Sequence, residues 1–98
     1  MITRIVKMTF EPTKVEEFLE VFNNAKEQIR TFEGNCYLEL IQDIHQPNIL
    51  FTYSKWEDES DLENYRRSEL FATTWAKTKV LFAGKPEAWS VETLYKLN

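Results

Sequence analysis

The chain holds one cysteine and one histidine, Cys36 and His45, in 98 residues. A lone cysteine excludes an intrachain disulfide, and one His with one Cys cannot complete a structural zinc site. Glycine is almost as scarce. With only Gly34 and Gly84 present, no glycine-rich loop is available to cradle a dinucleotide. No haem, flavin or metal is therefore expected to accompany the protein. Positive charge is also in short supply: 12 Lys and Arg stand against 16 Asp and Glu, and the basic residues are scattered. Nothing concentrates the field that phosphate binding requires, so nucleic acid is not an expected partner. No stretch approaches the roughly 18 apolar residues of a membrane span. Met1 leads straight into Ile2–Phe10 without a basic leader or a small-residue cleavage site, which makes the cytoplasm the expected compartment.

Aromatic residues are what the chain has in quantity: seven Phe, four Tyr and three Trp. Residues 1–98 have room for a single domain with one modest core. The rings must then line that core, an interface or a pocket.

Near the start, Ile2, Val6, Met8 and Phe10 alternate with Thr3, Lys7, Thr9 and Glu11, the two-residue period of a strand. Arg4 interrupts the apolar side and Ile5 the polar one. Pro12 ends the strand, and Thr13 with Glu16 has the spacing of a capping box. Val15, Phe18, Leu19, Phe22, Ala25, Ile29 and Phe32 then recur at helical steps, and Gly34 closes the helix. A second strand is expected over Cys36–Asp43, with Leu38 and Leu40 opposed to Tyr37, Glu39 and Ile41. The turn-forming residues His45–Asn48 join it to a third strand over Ile49–Trp56.

Ser60 and Glu63 repeat the capping-box spacing, and Ser68 is a further cap. A short helix over Asp61–Arg67, a break, and a longer helix over Glu69–Phe82 follow, stopped by Gly84 and Pro86. Trp89, Val91, Thr93, Tyr95 and Leu97 alternate through a last strand. The order βαββαβ implies an α+β domain, a four-stranded antiparallel sheet with its helices on one face. Because the strands are apolar on both sides, a second copy of the chain is the expected cover for the other face, making a homodimer.

Three stretches resemble the antibiotic biosynthesis monooxygenase family: Pro12–Phe18, Glu33-Gly34-Asn35, and the run from Tyr53 through Trp56, Asp58, Leu62, Tyr65 and Ser68 to Phe71. The resemblance implies a ferredoxin-like subunit in a dimeric α+β barrel, its sheet packed against that of its twin and a pocket between sheet and helices. Some family members oxygenate aromatic polyketides without metal or flavin, and a related branch binds and cleaves haem. Where the family usually carries a His on the short helix, this chain carries Tyr65. The strand-one Asn of the haem-cleaving branch has no counterpart before Asn23, so haem cleavage by that arrangement is not expected.

The resemblance marks Trp56, Tyr65 and Arg66 as candidate catalytic residues. Trp56 either stacks on a planar substrate or pins the third strand to the second helix. Tyr65 either donates a hydrogen bond or a proton to a substrate oxygen, or simply sits half-buried on a helix face. Arg66 either offsets a phenolate or is solvated. Tyr37, Tyr53 and Phe71 are candidate substrate-binding residues, although alternation alone does not tell which sheet face holds the helices. Cys36 has no basic neighbour in sequence to activate it, and His45 falls in a turn. The expected function is cofactor-independent oxygenation of a small planar aromatic or quinone-like compound. The rivals are a non-catalytic module of ligand binding or stress response on the same fold, and a structural dimer whose pocket is filled by its own rings.

Overall fold

A computed structural model describes every residue, Met1–Asn98. Four strands form one antiparallel sheet: β1 (Ile2–Thr9), β2 (Asn35–Gln42), β3 (Ile49–Trp56) and β4 (Glu87–Val91), in the order β2-β3-β1-β4. Three helices complete the chain, α1 (Val15–Arg30), α2 (Glu59–Arg66) and α3 (Glu69–Lys79). This is the ferredoxin-like α+β arrangement.

The central pair β1–β3 runs in register from Ile2 opposite Trp56 to Thr9 opposite Ile49. Side chains alternate across the pleat, so Arg4, Val6 and Met8 share the helix-covered face with Leu50, Thr52, Ser54 and Trp56. Ile5 and Lys7 point the other way, with Phe51, Tyr53 and Trp89 as their register partners. A bulge between Asn35 and Tyr37 leaves Cys36 without a partner in β3. The core under the helices is Met8, Phe10, Phe18, Leu50 and Leu81, with Phe10 and Phe18 stacked at 4.4 Å between ring centroids.

Several local expectations are corrected. The Thr13–Glu16 box does not form: Pro12–Lys14 makes a 3-10 turn in which the Lys14 N–H donates to the Glu11 carbonyl at 2.8 Å. Thr13 thus lies inside a turn, not in the extended backbone that a cap needs. The Ser60–Glu63 box is also absent, since the Ser60 hydroxyl donates instead to Asp58 at 2.6 Å. The third cap does form: the Phe71 N–H donates to Ser68 Oγ at 3.1 Å, and Ser68 Oγ donates to the Tyr65 carbonyl at 2.6 Å. One hydroxyl thereby joins α2 to α3. The last helix stops at Lys79 and not Phe82, because the chain turns down to bury Leu81 and to pair Phe82 with Phe10. The last strand stops at Val91 and not Leu97. Val91 already faces Thr3, near the beginning of β1, and nothing remains for later residues to pair with.

The turn from α1 into β2 is held at one residue. Gly34 has φ +87°, and a Cβ there would collide with the side chain of Asp61 in the first turn of α2. Its carbonyl accepts the Glu57 N–H at 2.8 Å, tying the turn to the end of β3. Gly34→Ala combines the left-handed backbone penalty with that collision and should cost about 1–3 kcal/mol. The check is the chemical denaturation midpoint, which should fall without a change in slope.

Candidate active site

Between the helix-covered face of the sheet and the three helices lies a cavity of about 310 Å³. That is at the lower end of the sizes that hold small organic ligands. Val6, Met8, Thr52 and Ser54 form its floor, and Phe18 and Phe22 of α1 one wall. Leu62, Tyr65, Phe71 and Trp75 of α2 and α3 form the roof. The segment Pro86–Ala88, which leads into β4, completes it.

Trp56 closes one end. It is 1% exposed, its indole N–H donates to Ser54 Oγ at 3.0 Å, and its ring stacks on Tyr65 at 5.1 Å and 28°. It therefore both pins β3 to α2 and borders the cavity. The rings continue along the roof: Phe71 meets Tyr65 edge-on at 5.3 Å, and Trp75, one turn later on α3, stacks on Phe71 at 5.8 Å. The placement of Tyr65 follows from the Ser68 joint, which grips the Tyr65 carbonyl at the end of α2.

Burial pushes the Tyr65 phenol up to about 12 from its ordinary 10.0. Near neutral pH it stays protonated, a donor of one hydrogen bond and not a base. Arg66 also lines the cavity, while its Nη1 donates to Glu63 Oε1 at 2.9 Å on the same helix. Trp56, Tyr65, Arg66 and Phe71 are thus brought together around one space.

Tyr37 and Tyr53 are not among them, and their assignment to the substrate pocket is corrected. Both project from the bare face of the sheet, where their rings meet edge-on at 6.0 Å with Lys55 Nζ above each. The Tyr37 hydroxyl donates to Glu39 at 3.2 Å, and this bond to the carboxylate raises its pKa. The pleat explains the difference: Trp56 lies three positions after Tyr53, an odd offset, and so the two take opposite faces. Cys36 Sγ donates to the Gly34 carbonyl at 3.6 Å, and His45 is exposed in the turn organised by Asp43, whose carboxylate accepts two backbone N–H groups. Those bonds hold the Asp43 carboxyl below its ordinary range. No three His, Cys, Asp or Glu side chains converge where a metal could sit.

Neither Arg4 nor Trp75 had a role in the sequence reading of the site, yet both line the cavity. Arg4 lines the space from the floor of β1, with Nη1 donating to Ser90 Oγ of β4 at 3.0 Å. Burial lowers its pKa most, the neighbouring charge of Arg66 lowers it further, and Glu63 works in the opposite direction. The signal was visible as the cation that interrupts the apolar side of β1.

Over residues 1–77 the sequence matches the family described as antibiotic biosynthesis monooxygenase. The chain belongs to that family. Solved structures agree on the fold of this family member. A crystal structure of an antibiotic biosynthesis monooxygenase superposes with a TM-score of 0.91 at 15% identity, covering 97% of this chain and 100% of the other. A conserved protein from Methanosarcina mazei Go1 gives 0.86 at 25% identity, over 92% and 90%. Rv0793 from Mycobacterium tuberculosis gives 0.89 at 12% identity, over 99% and 98%. No protein of curated function matches the sequence.

The Tyr65 pKa has a consequence for stability. Unfolding releases a phenol that ionises near 10.0, whereas the folded one resists until about 12. Its contribution is therefore complete below the unfolded value and is lost as the pH rises through about 12. Denaturant titrations across alkaline pH should show stability falling over this window, with a shallower fall in Tyr65→Phe.

Proposed function

We propose that this member of the family is a monooxygenase that transfers one oxygen atom from O₂ to a small planar aromatic or quinone-like compound without metal or flavin. The observation that carries this reading is the cavity itself: a space of about 310 Å³ walled by Trp56, Tyr65, Phe71 and Trp75, with hydrogen-bond donors and guanidinium groups at its edge. The rings suit a flat substrate. For a substrate with an acidic CH₂ across the ring from a ketone, as in anthrone, loss of a proton gives an enolate whose carbon passes an electron to O₂. The carbon radical and superoxide combine to a peroxide anion, which takes up a proton from solvent to become a hydroperoxide. This loses water and leaves a new carbonyl at that carbon. Tyr65 donates to the substrate oxygen on which the negative charge develops, and Arg66 offsets that charge. Phe71 and Trp75 hold the ring plane, and Trp56 backs Tyr65 from beneath.

The bare sheet face supports a homodimer as the working unit. Ile5, Ile41, Phe51, Tyr53, Trp89 and Val91 share it, and α1, α2 and α3 cover only the opposite side. A specific interface there would bury about 1,000 Å² or more in total. Sedimentation at micromolar concentration should report a dimer, and Phe51→Glu, which sets a carboxylate in the middle of the face, should yield a folded monomer. A monomeric wild type overturns the dimer.

A second reading, ligand binding without turnover, draws on one observation. The ionisable side chains around the cavity are Arg4, Tyr65 and Arg66, because Glu87 shares the bare face with its register partner Lys7. Tyr65 is held neutral, and the Glu87 carboxylate faces Lys7 Nζ at 3.8 Å. The substrate must then lose its proton to solvent or arrive ionised. Oxygen consumption with anthrone, measured above the protein-free rate, separates the readings. Turnover supports the monooxygenase, saturable binding without turnover supports the binding module, and neither removes both. If turnover is found, Tyr65→Phe should lower kcat/KM about 2- to 10-fold, the equivalent of one hydrogen bond of roughly 0.5–1.5 kcal/mol. Its melting temperature should hold, since no hydrogen bond within the chain contributes to the Tyr65 shift.

A further inference from the structure

We propose that Arg4 and Arg66 together form an anion-holding subsite at the edge of the cavity, and that the aromatic ligand carries a carboxylate that this subsite receives. The inference rests on the reading of the cavity as a site for planar aromatic compounds, and it goes further by assigning the ligand a charged group and an orientation.

Two guanidinium groups from separate elements, the floor strand β1 and the end of α2, border one largely apolar space. Each is fixed through a single nitrogen: Arg4 Nη1 on Ser90 Oγ at 3.0 Å, and Arg66 Nη1 on Glu63 Oε1 at 2.9 Å. A guanidinium has five N–H donors, so most of both forks is free. Their charges are unequally answered. Arg66 has Glu63, but Arg4 takes part in none of the chain's ion pairs, which are Lys7–Glu87, Lys14–Glu17 and Arg66–Glu63. The Glu87 carboxylate does not answer it either, since Glu87 stands opposite Lys7 on the bare face and lies 3.8 Å from Lys7 Nζ.

A half-buried cation beside a second cation is costly in the empty protein, as the downward push on the Arg4 pKa by burial and by Arg66 indicates. An anion lodged between the two relieves both effects. A carboxylate suits the place because it is planar, matches a guanidinium fork with two parallel hydrogen bonds, and leaves the attached ring in plane to meet the aromatic roof. Arg4 is placed to anchor it, being carried by a central strand. Arg66, on the exposed last turn of α2, closes over it.

The test is a set of binding titrations read by tryptophan fluorescence, using 2-naphthoate, methyl 2-naphthoate and 2-hydroxy-1,4-naphthoquinone, the last an ionised enol at neutral pH. The subsite predicts that 2-naphthoate binds about tenfold or more tightly than its ester. Arg4→Gln should abolish that preference while leaving ester affinity unchanged, Arg4→Lys should keep part of it, and Arg66→Gln should lose less because Glu63 already shares that charge. Equal affinity for acid and ester overturns the subsite and leaves the aromatic cavity standing. A preference for the ionised enol over naphthoate overturns the carboxylate. Loss of ester binding in Arg4→Gln shows Arg4 to be a structural residue and also overturns the proposal. Failure of every probe to bind removes both the subsite and the reading of the cavity beneath it.

Discussion

The full-length antiparallel register between β1 and β3 decides what the remaining elements can do. With Ile2 opposite Trp56 and Thr9 opposite Ile49, Arg4, Val6 and Met8 are committed to one face, and Ile5 and Lys7 to the other. A slip of one residue would exchange these sets, sending Met8 out of the core and Arg4 out of the cavity. The aromatic residues follow the same parity. Trp56 is delivered to one end of the cavity and Tyr53 to the bare face by their positions on a single strand. Helix packing, the contents of the cavity and the apolar outer face are thus consequences of one pairing.

The fold was legible because its signals are local and redundant. Period-two alternation in β1, the helical stripe from Val15 to Ile29 and the Ser68 cap each act within a few residues, and all agree. Gly34 does not close the helix, which ends at Arg30 with Thr31 as its cap, but turns the chain into β2. What the sequence could not reveal was non-local. The length of β4 depends on where its partner strand begins, so Thr93, Tyr95 and Leu97 alternate without pairing. The end of α3 depends on the pull of Leu81 into a core built by Phe10 and Phe18, a contact across much of the chain. The two capping boxes fail for lesser reasons, a Pro-initiated turn that takes in Thr13 and a carboxylate within reach of Ser60.

The cavity lining was legible in the stretch that carries the family resemblance, where Trp56, Tyr65, Arg66 and Phe71 all border one space. It was not legible elsewhere. Tyr37 and Tyr53 are chemically suitable for stacking on a ligand, and only the face on which they stand disqualifies them. Arg4 failed in the opposite way. As an interruption in an apolar pattern it looked like noise, although a charged residue at a core-facing position is costly unless something answers it. Irregularities in a binary pattern are therefore better clues to a site than the pattern itself.

The hydrogen bond from the Trp56 indole to Ser54 has an effect on selectivity. An indole ordinarily offers a visitor two things, a broad flat surface and one N–H with which to recognise an acceptor. Here the N–H is already committed to Ser54, one face of the ring is covered by Tyr65, and almost none of the residue is exposed. On the proposed function, Trp56 would then limit the breadth of a ligand without reading where its oxygens lie. Discrimination between one oxygenation pattern and another would pass to Tyr65 and the arginines, so that shape and functional-group recognition would be vested in different side chains and could vary independently.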